Sequence, residues 1–120
     1  MEFNIKFKIE QQLIEDLIVT SFEGGSGYWM EYSISNEIQK QWNPSNYANQ
    51  IIENKWEIEV FDREEPENKL GAINIKNIQR GLNLLSKYPY TLGNILTGDY
   101  DGNDADVFMQ LVVMGEVIYG

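Results

Sequence analysis

The sequence predicts an α+β fold: a small antiparallel sheet with helices packed on one face, and the C-terminal helix central. Three patterns point there. Short segments place apolar residues at every second position; longer ones space them by three and four; and the final segment is apolar nearly all round. A chain of 120 residues suits one hydrophobic core, so a single domain spanning 1–120 is expected.

Phe3, Ile5, Phe7 and Ile9 alternate with Asn4, Lys6 and Lys8, the period of a half-buried strand. Leu13, Ile14, Leu17, Ile18 and Phe22 then fall on one face of a helix. Gly24 and Gly25 follow where a left-handed C-cap is expected. Tyr28, Met30, Tyr32 and Ile34 alternate again as a second strand. Residues Asn36 to Asn54 surround Pro44 with polar groups and are expected to be loop, with at most a helical turn. Trp56, Ile58 and Val60 form a third strand whose other face carries Glu57, Glu59 and Phe61. The polar run Asp62 to Lys69 should connect it to an antiparallel partner over Leu70 to Ile75.

Ile78, Leu82 and Leu85 have helical spacing, with Asn74 or Asn77 as cap. Gly81 within that helix costs about 1 kcal/mol relative to alanine, which implies close approach by another element. Pro89 ends it, a short helix covers Tyr90 to Leu96, and Gly98 opens an acidic loop. In the last segment Val107, Phe108, Leu111, Val112, Met114, Val117 and Ile118 leave a narrow polar stripe near Asp106 and Gln110. Such a helix is either central in the core or shared with a second subunit, so a homodimer through it is the paired expectation.

Composition narrows the function classes. Apolar residues make up 42% and charged residues 23%, a balance that argues against disorder. With no cysteine and no histidine, disulfides, thiol catalysis, Cys/His zinc sites and imidazole acid–base chemistry are excluded. No stretch approaches the roughly 20 apolar residues of a membrane span, and Met1 to Ile9 lacks the apolar core of a signal peptide, so a cytoplasmic location is expected. The formal charge is −10, from 19 acidic and 9 basic side chains. That charge repels nucleic-acid phosphate and anionic lipid, which leaves a basic protein partner or plain solubility as its use. Seven acids lie between Glu53 and Glu67, and four between Asp99 and Asp106. Glu57, Glu59, Glu64, Glu65, Asp99 and Asp101 are therefore the candidate partner-binding residues. Solvated loops explain both clusters adequately, and mimicry of a nucleic-acid backbone is the sharper alternative.

Glu23-Gly24-Gly25-Ser26-Gly27-Tyr28-Trp29 is the one candidate ligand loop, with backbone accessible at its glycines and two aromatics for stacking. Phosphate-cradling loops lead from a strand into a helix N-terminus. This one leaves a helix C-terminus for a strand, so nucleotide phosphate is disfavoured; a helix stop, a tight turn and two core aromatics account for it structurally. Asp99 to Asp106 superficially resembles a calcium loop, but positions six and twelve would be Asp104 and Gln110, where an EF-hand needs glycine and glutamate. Caps for the following helix are the simpler use. No spacing selects a carboxylate pair for acid–base work, and the G-x-S-x-G, Walker and Rossmann patterns are missing. No catalytic residue, metal or cofactor is assigned.

Two stretches carry a resemblance. Glu23 to Trp29 resembles the EGG-x-x-YW signature of small bacteriophage- and prophage-encoded proteins. Ala105 to Gly120 is similar to the ending of the same group, AD-x-x-x-Q-x-x-x-x-GE-x-x-YG, and Ile78 to Leu82 to its internal I-x-x-GL. Together these cover about a third of the chain. Many members carry asparagine where this chain has Gly27, so no ligand role carries over to that position. The resemblance implies a phage origin and a bacterial host cell; it implies no reaction. The matched residues also suggest one assembly, in which the glycine turn meets the polar stripe of the last helix and Gln110 and Glu116 are buried polar groups in need of partners.

The leading expectation is thus a phage-encoded, acidic, non-catalytic protein that inhibits a host defence system, for example a basic CRISPR effector, by occupying it. The first alternative is a sponge for a small immune-signalling nucleotide, for which only Arg63 and Arg80 offer guanidinium groups. A structural or assembly protein of the phage is the second.

Overall fold

The computed structural model describes residues 1–120. Helix α1 (Gln11–Thr20) runs into a π turn (Ser21–Gly25). Strand β1 (Met30–Ser33) and the short helices α2 (Asn36–Gln41) and α3 (Tyr47–Glu53) follow. Strands β2 (Ile58–Asp62) and β3 (Lys69–Ile73) form a hairpin, then α4 (Ile75–Leu84), a 3₁₀ turn (Leu85–Lys87), α5 (Pro89–Thr97) and α6 (Gly102–Met114) complete the chain. The sheet is antiparallel in the order β1-β2-β3, with Tyr32 opposite Val60 and Ile58 opposite Ile73. The α+β class is as predicted.

Helix α6 is the centre. It packs on α4, β3, α1, α5 and the π turn, and its residues from Asp104 to Met109, other than Val107, and from Gln110 to Val113 are buried. Of the two readings of this apolar helix, the central one is realised, and its own chain covers the surface a second subunit would need. Asp101 caps its start by accepting from Asp104 N while the Asp104 carboxyl accepts from Asp101 N. Gly115, at φ 78°, takes the left-handed conformation that ends it. The helix therefore starts and stops earlier than its apolar pattern implied, and Val117 and Ile118 lie in an irregular tail.

Glycine lets elements touch at two places. A Cβ on Gly81 would stand 2.6 Å from Val112 Cγ2 and 3.1 Å from Val112 N, so the missing side chain lets α4 seat directly on Val112 of α6, as the glycine implied. A Cβ on Gly71 would stand 2.1 Å from Val113 O, which brings β3 equally close.

Three local expectations need correction. Phe3 to Ile9 forms no regular element and pairs with no strand. Alternation specifies one apolar row, not a partner, and here Ile5, Phe7 and Ile9 lie beside Ile14, Leu82 and Leu92 of the helices. Gly24 and Gly25 are not a left-handed cap: the helix widens into a π turn closed by Ser26 N donating to Ser21 O at 3.0 Å. Residues 36–54 are not mainly loop, because Ser35 caps α2 by accepting from Ile38 N, and Tyr47, Ala48 and Ile51 give α3 a buried face. Asn74 caps α4, and Pro89 serves as the first residue of α5.

Candidate functional site

The glycine turn and the C-terminal tail meet around Asp106 and Gln110. Asp106 is 7% exposed and its carboxyl accepts four hydrogen bonds. Oδ1 receives Ser26 Oγ at 2.8 Å and Trp29 Nε1 at 2.7 Å. Oδ2 receives Tyr28 OH at 2.6 Å and Gln110 Nε2 at 3.0 Å. None of these donors is a cation, so short hydrogen bonds alone offset the burial of the carboxyl.

Helical spacing sets the next contact. Gln110 lies one turn beyond Asp106 on the same face of α6 and is fully buried. Its Oε1 accepts from Ile118 N and Tyr119 N, both at 2.8 Å, while Nε2 also donates to Tyr119 O at 3.0 Å. One side-chain amide thereby stands in for the missing backbone partners of a tail that has left the helix. The Tyr119 ring stacks on Trp29 at 5.4 Å and an interplanar angle of 12°, and its hydroxyl reaches Asp62. Arg63, at the hairpin, donates from its guanidinium to Gly27 O and from its backbone N to Trp29 O.

Ser26, Gly27, Tyr28, Trp29 and Gln110, predicted as a ligand loop, are thus brought together, but around a protein carboxyl. Both Asp106 oxygens face two donors each, so the lone pairs are occupied and no open position is left on them. Glu116 was expected to be buried with Gln110; it is exposed, because Gly115 turns the chain outward before it. Asp106, expected both in the acidic run 99–106 and on the polar stripe of the last helix beside Gln110, is the hub that the candidate residues surround. Its i, i+4 relation to Gln110 on an otherwise apolar helix was the available signal.

Gly24, Gly25 and Tyr28 open on a shallow pocket of about 610 Å³ lined also by Thr20, Glu23, Asp101, Gly102 and Asn103. Gly25 is needed there because a Cβ would stand 2.7 Å from Gly102 O. The pocket holds two carboxyls and no base. Tyr28 is pushed up to about 12, by burial first and then by its bond to and the charge of Asp106, partly offset by Gln110. Tyr119 is also raised, by burial and then by Asp62.

The candidate partner-binding acids divide into two sets. Glu57, just before β2, Glu59 on it, and Glu64 and Glu65 in the hairpin turn are exposed, joined by Glu31 of β1. Glu59 pairs with Lys69 at 3.3 Å, the one salt bridge of the molecule, and Glu57 accepts from Asn74. Asp99 and Asp101 stand before α6, where the Asp101 carboxyl serves as a cap. Asp104, which accepts from Asn94, and Asp106 are buried, so residues 99–106 present no continuous acidic surface and no group of three potential metal ligands forms. No helix is long and apolar enough to cross a membrane.

Comparison with family models, curated proteins and solved structures finds no match to this chain.

Proposed function

We propose that this chain is a phage-encoded binding protein that inhibits a host defence protein by occupying a basic surface on it, without catalysis. The supporting observation is the uncompensated charge of the sheet and hairpin. The chain carries 19 acidic side chains, yet forms a single salt bridge, and that one is between exposed groups. An ion pair of that kind is worth about 0–1 kcal/mol, so it leaves the acids free to meet another partner. Opposite potentials across an interface speed encounter and fix orientation. A motif built around a saturated carboxyl supports the same reading, since it positions the hairpin through Arg63 rather than presenting a reactive group.

The nucleotide sponge loses support on chemistry. Arg63 donates to Gly27 O and Arg80 to Val112 O, so both guanidiniums are committed to backbone, and the glycine-lined pocket adds Glu23 and Asp101 where phosphate would need a cation.

The test is phage plating on a defended bacterial strain expressing the protein. Wild type should raise plating efficiency, and the Glu57→Lys, Glu59→Lys, Glu64→Lys, Glu65→Lys variant should not. Equal protection by both would remove the acidic surface from the account.

A further inference from the structure

We infer that residues 1–9 form a two-stranded antiparallel ribbon with the same residues of a second copy, making the protein a homodimer through its N-terminal arm. The arm is the strand pattern that the sheet leaves unused. Phe3, Ile5 and Phe7 are 76%, 65% and 57% exposed, a continuous apolar row of a kind that marks an interface. Ile5, Phe7 and Ile9, with Lys6 and Lys8 between them, line an open groove of about 560 Å³ together with Ile14, Leu82 and Leu92 of the helices. A two-stranded ribbon is marginal in water by itself, but not when its apolar face rests on helices.

Charge selects both the occupant and the register. In a chain of net charge −10, the arm is an exposed apolar segment of net positive charge: it holds Lys6 and Lys8 against Glu2. Two copies therefore repel through their bodies and can meet at their arms. A two-fold axis makes the contact self-complementary. With Ile5 opposite Ile5, Phe3 faces Phe7 on the apolar side, while Glu2 faces Lys8 and Asn4 faces Lys6 on the polar side. Sliding the strands toward longer overlap sets Lys6 against Lys6 and Glu2 against Glu10, which is repulsive. Sliding them the other way pairs Glu2 with Lys6 and leaves Ile9 outside the ribbon. Both shifts preserve the faces; like charges count against the first, and the lost apolar overlap counts against the second.

The experiment is sedimentation equilibrium on the 120-residue chain and four variants, each checked for native circular dichroism. Wild type should dimerise, and Phe3→Asp with Phe7→Asp should be monomeric. Glu2→Lys and Lys8→Glu should each weaken the dimer by about tenfold, since two opposed pairs change sign in a symmetric ribbon. The double variant Glu2→Lys, Lys8→Glu should regain wild-type affinity. A monomeric wild type, or a dimer untouched by the aspartates, overturns the arm as the interface. Failure of the double variant to recover overturns the register.

Discussion

Replacing Asp106 with asparagine tests whether the buried carboxyl is what joins the glycine turn to the last helix and its tail. The side chains are nearly isosteric, so packing is preserved and the change is one of hydrogen bonding. An asparagine oxygen placed as Oδ1 keeps Ser26 and Trp29, but its amide nitrogen then faces Tyr28 OH and Gln110 Nε2. The tyrosine hydroxyl can rotate to accept. Gln110 cannot turn over without losing Ile118 N and Tyr119 N from its oxygen. One buried donor is therefore stranded at a cost of about 1–3 kcal/mol, and charge-assisted bonds worth about 1.5–3 kcal/mol each become neutral or vanish. Removing a buried charge relieves desolvation in the opposite sense. Because four donors converge on Asp106, the lost bonds should win, with a net destabilisation of about 3 kcal/mol. Urea unfolding followed by circular dichroism should show a lower midpoint at unchanged slope, and the Trp29 indole proton should move in the NMR spectrum. Equal or greater stability of Asp106→Asn would mean that burial of the carboxyl outweighs its bonds, and the reasoning would fail.

Gln110→Ala should free the tail: amide exchange at Ile118 and Tyr119 should rise, with about 2–4 kcal/mol of stability lost through stranded backbone groups. Gly81→Ala sets about 1 kcal/mol of helix propensity gained against a Cβ placed 2.6 Å from Val112 Cγ2. The clash should dominate, lowering the thermal midpoint, and a raised midpoint would show that α4 and α6 separate easily. Tyr47 OH is buried without a partner, so Tyr47→Phe should be neutral or stabilising in calorimetry, whereas Tyr28→Phe, which removes a bond to Asp106, should destabilise. Tyr28 and Tyr47 are both raised to about 12 from 10.0, in each case by burial first, with the charge of Glu23 next for Tyr47. A raised value means that the folded state retains a proton the unfolded chain loses. This contribution should be intact below pH 10 and disappear between about 10 and 12, as read by the pH dependence of the urea midpoint; a flat profile there would contradict the burial of Tyr47 and the bond of the half-exposed Tyr28 to Asp106.

Much of the fold was legible because the signals were local. The three sheet strands, the Asn74 cap, the close approach at Gly81 and the apolar last helix all follow from period, cap chemistry or a single glycine. Three features needed tertiary information. The alternation of Phe3 to Ile9 announces an extended chain, but which strand it joins is set by sheet edges the segment does not encode. Pro44 and its polar neighbours hide two short helices, since helices of six and seven residues carry little periodicity and draw their stability from packing. Asp106 reads both as one more acid in a cluster and as part of the last helix's polar stripe. Its neighbours in sequence are loop-like on one side and core on the other, and only the incoming glycine turn shows which side it belongs to. The candidate site was found as a set of residues and mistaken in its centre: Gln110 is buried as expected, Glu116 is not, and the hub is a carboxyl between them and the glycine turn.

The account stands most directly on whether the exposed acids of the sheet and hairpin contact another protein. Tagged wild-type protein and the fourfold lysine variant, matched by circular dichroism, should be passed through host lysate at low and at elevated salt. The account predicts one basic protein retained by wild type at low salt, released as salt screens the contact, and not retained by the variant. The same protein held equally by both chains, or held unchanged at high salt, would contradict it.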